Sequence, residues 1–207
     1  MRPSRYIRET VTLRDERTVV LRPIDRSDAP CLIDLHNQLS FESQYYRFFG
    51  PKPRLSQAEA EYLADVDFHK RFALVAEAVG SEDKEIVGVG RFDVNEPGSA
   101  EAAIVIRDDY QHVGLGTAML QRMREIGRGA GLKAFSAEVL AENTRMIELL
   151  GTGGVDITPA QEGVVRVSAP LDQPVLMLGF KIATQVIEAL TEKRPSSSDE
   201  ASTPERD

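Results

Sequence analysis

The sequence predicts an α+β fold with one mixed, mostly antiparallel central sheet flanked by helices. Three observations carry that prediction. From Phe72 to Ile106, three runs of strand period follow one another across short polar turns, the pattern of an antiparallel meander. The third run then passes through QHVGLG directly into an amphipathic helix, and a strand, a short helix and a further strand follow it. Strands gathered ahead of strand–helix units make sheets with helices on their faces.

Upstream of the meander, ETVTLRDERTVVLRPI alternates apolar and polar residues about a charged RDER turn, predicting a hairpin from Thr10 to Arg22 that Pro23 ends. DRSDAPCLIDLHNQLS supplies Ser27 or Asp28 as an N-cap, Pro30 in the first turn, and helical spacing at Cys31, Leu32, Leu35 and Leu39. FESQYYRFFG is a second helical stretch, ended by Gly50 and Pro51. SQAEAEYLADV is a third, with Ser56 as cap and Glu59 completing a capping box. The meander strands are RFALVAEAV, EIVGVGRFDV and EAAIVI, joined by GSEDKE and NEPGS. The helix from Gly116 to Ala130 sets Met119, Leu120, Met123, Ile126 and Ala130 on one stripe, with Gly131 as C-cap. KAFSAEVL then reads as strand, NTRMIELL as helix and GVVRVSAPL as strand. The tail 195–207 is too polar to bury itself and is expected to be disordered, which leaves 1–194 as a single domain; 207 residues suffice for one core. LDQPVLMLGFKIATQVIEAL is apolar enough to pack on that core or on a second copy, so monomer and homodimer both stay open.

Hydrophobic residues make up 42% and charged residues 28%, inside the globular range, and no run of about 18 apolar residues exists to cross a bilayer. The N-terminus has no apolar h-region, so a cytoplasmic location is expected. Cys31 stands alone and reads as a buried, inert thiol. Three histidines without a Cys/His cluster predict no metal site. His36 and His69 are expected at the surface or at helix ends. The net charge of -8, with no basic patch, disfavours nucleic acid as a partner. An anionic ligand would therefore depend largely on backbone amides.

QHVGLG can supply them. Gly114 and Gly116 lack Cβ atoms, so N–H groups around them can converge on a ligand, and the helix that begins there adds its positive dipole end. A dinucleotide fingerprint fits poorly: polar-rich residues from Arg107 to Gln111 separate the strand from the turn, and Met119 stands where a third small residue belongs. Two glycines that simply ease a turn are a plainer alternative.

The Q-x-x-G-x-G pattern at Gln111, Gly114 and Gly116, between an apolar strand and an amphipathic helix, resembles motif A of the GNAT superfamily of acyl-CoA-dependent N-acyltransferases. KAFSAEVLAENTRMIEL is similar to the strand–helix unit that follows motif A in that family. Three segments in order, LSFESQYYRFFG, SAEAAIVIRDDYQ and AENTRM, resemble the Pat-type protein lysine acetyltransferases. The likeness covers about 18–171.

The resemblance implies a GNAT-type sheet and acetyl-CoA as co-substrate, with no metal. It places Gln111, His112, Val113, Gly114, Leu115, Gly116 and Thr117 around the CoA diphosphate, and it lets Ile104, Val105 and Ile106 offer backbone groups to the pantetheine arm. Asn143 would contact CoA, with a plain helix cap as its alternative. Glu101 would be the general base, directly or through a water; an exposed turn residue is the alternative, and Glu77, Glu138, Asp108 and Asp109 are weaker candidates. Tyr110 should pack, while Tyr45 and Tyr46 should wall an acceptor cleft. His112 and Val113 depart from the family, whose loop has a glycine and then often a basic residue there, and Thr152 stands near an arginine of some relatives. Weaker neutralisation of the cofactor phosphates follows. The implied reaction moves an acetyl or short acyl group to a protein lysine ε-amine, on acyl-CoA synthetases. A small amine or protein N-terminus as acceptor, or a non-catalytic acyl-CoA sensor, are the competing readings.

Overall fold

The computed structural model describes residues 8–81, 83–151 and 156–172, without the side chains of residues 150 and 151. Thr152, the tail 195–207 and all but the first two residues of the C-terminal apolar stretch lie outside the described residues. In chain order the elements are β1 (Glu9–Thr12), β2 (Thr18–Pro23), α1 (Ala29–Gln38), α2 (Phe41–Phe48), α3 (Gln57–Ala64), β3 (Arg71–Ala78), β4 (Ile86–Glu96), β5 (Ser99–Ile106), α4 (Leu115–Gly129), β6 (Ala134–Leu140), α5 (Thr144–Gly151), β7 (Asp156–Gln161) and β8 (Val164–Pro170). The strands form one sheet in the order β1-β2-β3-β4-β5-β6-β8-β7. Only β5 and β6 run parallel; the other neighbours are antiparallel. The mixed, mostly antiparallel α+β architecture expected from the sequence is therefore present.

Each face of the sheet carries its own core. On one, α4 buries Met119, Leu120, Met123 and Ile126 against Phe92, Ile104 and Phe135. Gly88 and Gly90 of β4 make that approach possible: a Cβ on Gly90 would stand 2.5 Å from the Met123 sulfur. On the other face, α1 and α3 bury Leu32, Leu35, Ala60 and Ala64 against Ala73, Val75 and Ile86. Alternation along β4 and β5 feeds both cores, since successive side chains of a strand point to opposite faces.

Several local signals behave as expected and a few do not. Ser56 and Glu59 form both halves of a capping box on α3. The first hairpin extends to Pro23, which still pairs with Leu74. Helix α2 ends at Phe49 in a left-handed conformation, φ 57, one residue before the expected glycine. Strand β7 was not foreseen: it is an edge strand, largely exposed, and its register slips between Pro159 and Gln161, so neither an apolar run nor clean alternation marks it.

Neither Ser27 nor Asp28 caps α1 through its side chain; Asp25 caps a short 3-10 turn ahead of it. Asp28 is turned inward instead and is 0% exposed. Its carboxylate accepts two hydrogen bonds from Arg22, at 2.8 and 2.9 Å, and an ion pair from Lys84. Arg22 also bonds Glu77 at 2.6 Å, so β2, β3 and the start of α1 are tied at one point. Burial alone would raise the Asp28 carboxyl, but the hydrogen bonds from Arg22 and Lys84 outweigh it and hold it below the usual carboxylate range. A lowered folded value contributes stability above the ordinary carboxylate value of about 3.9 and loses it as pH falls through the folded value. Asp28→Asn is expected to cost about 1–3 kcal/mol, because it removes one of the two carboxylates that neutralise the buried Arg22 guanidinium and leaves Glu77 as its counter-charge. Urea unfolding should show that gap at pH 7 and a narrower one below about pH 4.

Candidate active site

Strand β5 is shared unequally between its neighbours. It pairs with β4 along its length, from Ser99 to Ile106, but with β6 only at Ser99↔Ala134, Ala100↔Phe135 and Glu101↔Ser136. Strand β6 continues against β8 as far as Leu140. From Ala102 to Ile106, one backbone edge of β5 thus has no strand partner among the described residues, in the middle of the sheet, and an extended ligand can pair with such an edge. The sequence-predicted residues Ile104, Val105 and Ile106 lie on that edge.

The edge leads to the glycine bend through a clamped corner. A 3-10 turn spans Asp108–Tyr110. Gln111 donates from Nε2 to the Ile106 carbonyl at 3.0 Å and to Ser43 Oγ at 3.1 Å, so its side chain joins the end of β5 to α2. Asp108 accepts from the Ser40 amide at 2.9 Å, Ser40 Oγ at 2.7 Å and Ser43 Oγ at 2.8 Å. Burial would raise the Asp108 carboxyl, but the bonds from Ser40 and Ser43 prevail and keep it below its ordinary value. Arg107 bonds Asp109 and Glu85, and Tyr110 is buried beneath the Arg17 guanidinium, 3.7 Å from its ring centroid.

At the bend itself, His112 and Gly114 both have positive φ, 62° and 95°. Gly114 occupies the N-cap position of the 15-residue helix α4, and no side chain caps that end. The first amide of the helix to find its acceptor is Ala118, on Gly114 O at 3.1 Å. The N–H groups of Leu115, Gly116 and Thr117 precede that bond, and such groups are the ones a helix leaves for an anion. Leu115 is fully buried, which anchors the turn. Gly116 lies where a Cβ would stand 3.3 Å from both Ile106 and Leu149, so its missing side chain lets α4 start between β5 and α5. Asn143 caps α5, its Oδ1 accepting from the Met146 amide at 3.1 Å; the cap role is therefore real, and its side-chain NH2 is left for other partners.

Glu101 stands at the fork, as the last residue of β5 opposite β6, and is exposed. It makes no hydrogen bond or ion pair within the described residues. The weaker candidates are all engaged: Glu77 with Arg22, Glu138 with Arg166, Asp108 with Ser40 and Ser43, and Asp109 with Arg107. On the same face of the sheet, Ala103 and Val105 border a cavity of about 80 Å³ with Leu32, Leu35, Phe48 and Arg47. Burial, and then the neighbouring Arg91 cation, push Arg47 below its ordinary value, while the negative charge of Glu101 opposes them. Helix α2 places Arg47 and Phe48 on the cavity wall, whereas Tyr45 and Tyr46, the expected wall residues, are not among those that line it.

Two further expectations need correction. His36 is at the last turn of α1 but is not a surface residue: it is 3% exposed, bonds the Lys52 carbonyl through Nε2 at 2.8 Å and stacks edgewise on Phe48. Its place on the cavity wall follows from packing that no local pattern announces. Cys31 is half-buried rather than buried, with Sγ 3.5 Å from the Lys84 carbonyl, and burial raises its thiol. Sequence reasoning also missed Arg47 and Arg91 as parts of the site, and it named Asp108 as a weaker base candidate rather than as the anchor of α2; Arg47 lies within LSFESQYYRFFG, the one signal that could have found it. Among the described residues, no group of three or more His, Cys, Asp or Glu could hold a metal ion, and no helix is long and apolar enough to cross a membrane.

A forked parallel pair whose free edge runs into uncapped helix-start amides is the architecture of an acyl-CoA-dependent acyltransferase. Comparison with known proteins agrees: residues 18–155 match the family described as acetyltransferase (GNAT) domain. An acetyltransferase of Pseudomonas aeruginosa, PA5475, is 31% identical over 141 residues, covering 67% of this chain and 75% of that protein. The acetyltransferase Pat of Mycolicibacterium smegmatis is 27% identical over 194 residues; they cover 88% of this chain but 57% of that protein. The crystal structure of the GNAT domain of S. lividans PAT superposes with a TM-score of 0.71 at 32% identity, over 79% of this chain and 96% of that one. The chain belongs to the GNAT acetyltransferase family and is an acyl-CoA-dependent N-acetyltransferase.

The bend depends on a residue free of Cβ. Gly114→Val is expected to lower stability by about 1–3 kcal/mol, the cost of holding a branched side chain at positive φ, read as a lower urea midpoint with an unchanged slope.

Proposed function

We propose that the chain transfers an acetyl group, or another short acyl group, from acyl-CoA to a lysine ε-amine of a protein, with Glu101 as general base. The observation that carries this reading is the unpaired Glu101 carboxylate at the point where β5 leaves β6. Amides of the bend from His112 to Thr117 take the CoA diphosphate, and the open edge at Ile104, Val105 and Ile106 takes the pantetheine arm as an added strand takes its neighbour. Gln111 keeps edge and bend in register, and the Asn143 side-chain NH2, its Oδ1 being used in the cap of α5, serves as a donor to the cofactor. An arm laid along that edge from the bend delivers its thioester to the fork, beside Glu101.

A lysine with an ordinary value of about 10.4 is protonated at neutral pH and cannot attack. Glu101 removes one proton, directly or through a water, as the amine nitrogen bonds to the thioester carbonyl carbon. As the C–S bond then breaks, the nitrogen gives up its second proton, through solvent, to the leaving CoA thiolate, so that the one proton released overall is the one Glu101 holds. The positive field of Arg47 and Arg91 assists by disfavouring a second cation, and so the ammonium form, at this end of the cleft. Likeness to the Pat-type segments supports a protein lysine as acceptor, with acyl-CoA synthetases as the class to try first.

Glu101→Gln should lower kcat by about 10²–10⁴-fold with little change in KM for acetyl-CoA, measured with a purified acyl-CoA synthetase as acceptor. Equal rates for variant and wild type would remove Glu101 from the mechanism. Rapid turnover on free amines with none on the synthetase would replace the protein acceptor by a small one.

A further inference from the structure

We propose that Arg14, on the turn between β1 and β2, is a phosphate-binding residue of this site, its guanidinium lying on the CoA diphosphate held at the bend from Val113 to Thr117. The inference rests on reading that bend as the diphosphate site, and it adds the cation the bend itself lacks. Between Gln111 and Gln121 there is no lysine or arginine. A diphosphate bound by backbone dipoles alone would keep much of its charge uncompensated.

Arg14 reaches the bend from a distant part of the chain and is fixed there. Its backbone amide donates to the Val113 carbonyl at 3.0 Å. Its side chain lies across Gly114: a Cβ at that glycine would stand 3.7 Å from Arg14 Nε and 3.8 Å from its Cγ. The absence of a side chain at Gly114 therefore does two things, permitting the positive φ and leaving room for a guanidinium over the start of α4.

The surrounding charges are already committed, and Arg14 is not. Asp15 pairs with Arg17 at 2.6 Å, and Asp109 pairs with Arg107 at 2.6 Å and with Arg17 at 3.5 Å. Arg17 is further occupied by the Tyr110 ring. Glu16 makes no ion pair with Arg14, and among the described residues the Arg14 side chain has no hydrogen bond or ion pair at all. A cation held by its backbone beside uncapped helix amides, with no carboxylate to satisfy it, is complementary to a phosphate group.

The test is calorimetric binding at low ionic strength, where an exposed charge is least screened, using the full chain, Arg14→Gln and Arg14→Lys with CoA, 3′-dephospho-CoA and pantetheine. The wild type should bind both nucleotides more tightly than pantetheine. Arg14→Gln should weaken CoA and 3′-dephospho-CoA equally, by about fivefold, leave pantetheine and the thermal midpoint unchanged, and be partly rescued by Arg14→Lys. Unchanged affinity for CoA would overturn the proposal. So would a loss confined to CoA, which would put the guanidinium on the 3′-phosphate, or an equal loss on pantetheine, which would mark a general disturbance. A wild type that does not distinguish CoA from pantetheine would overturn the diphosphate bend and Arg14 with it; discrimination retained in Arg14→Gln would remove Arg14 alone.

Discussion

The structure depends on the parting of two parallel strands. If β6 stayed beside β5 beyond Glu101 and Ser136, the edge from Ala102 to Ile106 would be consumed by the sheet and no extended ligand could reach the interior. An open edge inside a sheet is unstable unless its neighbours are held apart. Here β4 keeps β5 in place to its last residue, β8 holds β6 on the far side, and Gln111 takes up the Ile106 carbonyl at the end of the opening. Helix α4 fills the space below the fork, which it can do because Gly88 and Gly90 let Met119 and Met123 come close to β4.

The chemistry follows from where charges are spent. Most ionisable groups near the fork are paired for architecture: Asp108 holds the start of α2, Arg107 ties Asp109 to Glu85, and Asp28 joins three elements through Arg22. Those pairs set the positions of α1 and α2, and α2 in turn delivers Arg47 to the cleft. What is left unpaired is informative against that background. Among the described residues Glu101 has no hydrogen-bond or ion-pair partner and Arg14 has none at the helix start, so a carboxylate and a guanidinium stand at opposite ends of the open edge. A substrate amine that yields its proton to a carboxylate at one end, and a cofactor with a diphosphate at the other, match that arrangement.

Much of this was legible in the residues because it is local. Strand period gave the meander, Ser56 and Glu59 gave the α3 cap, and Gln111, Gly114 and Gly116 marked a helix start without a capping side chain. What the sequence hid is what the fold brings together from afar. The bond from Ser40 to Asp108 joins residues 68 apart in sequence, and the Arg22–Asp28 pair reverses the role that helix-cap statistics assign to Asp28. Strand β7 was invisible because an exposed edge containing Pro159 has no core-facing pattern to read. His36 illustrates the same limit: a histidine at a helix end is ordinarily solvated, and only the arrival of Phe48 and the Lys52 carbonyl buries it.

The most direct test of the central claim is a crystal structure of the chain with bound acetyl-CoA. The account predicts diphosphate oxygens within about 3 Å of the amides of Val113 to Thr117, pantetheine amides paired with the free edge of β5, and the thioester sulfur at the fork beside Glu101. A cofactor bound elsewhere, or one lying at the bend with its sulfur directed away from Glu101, would contradict it.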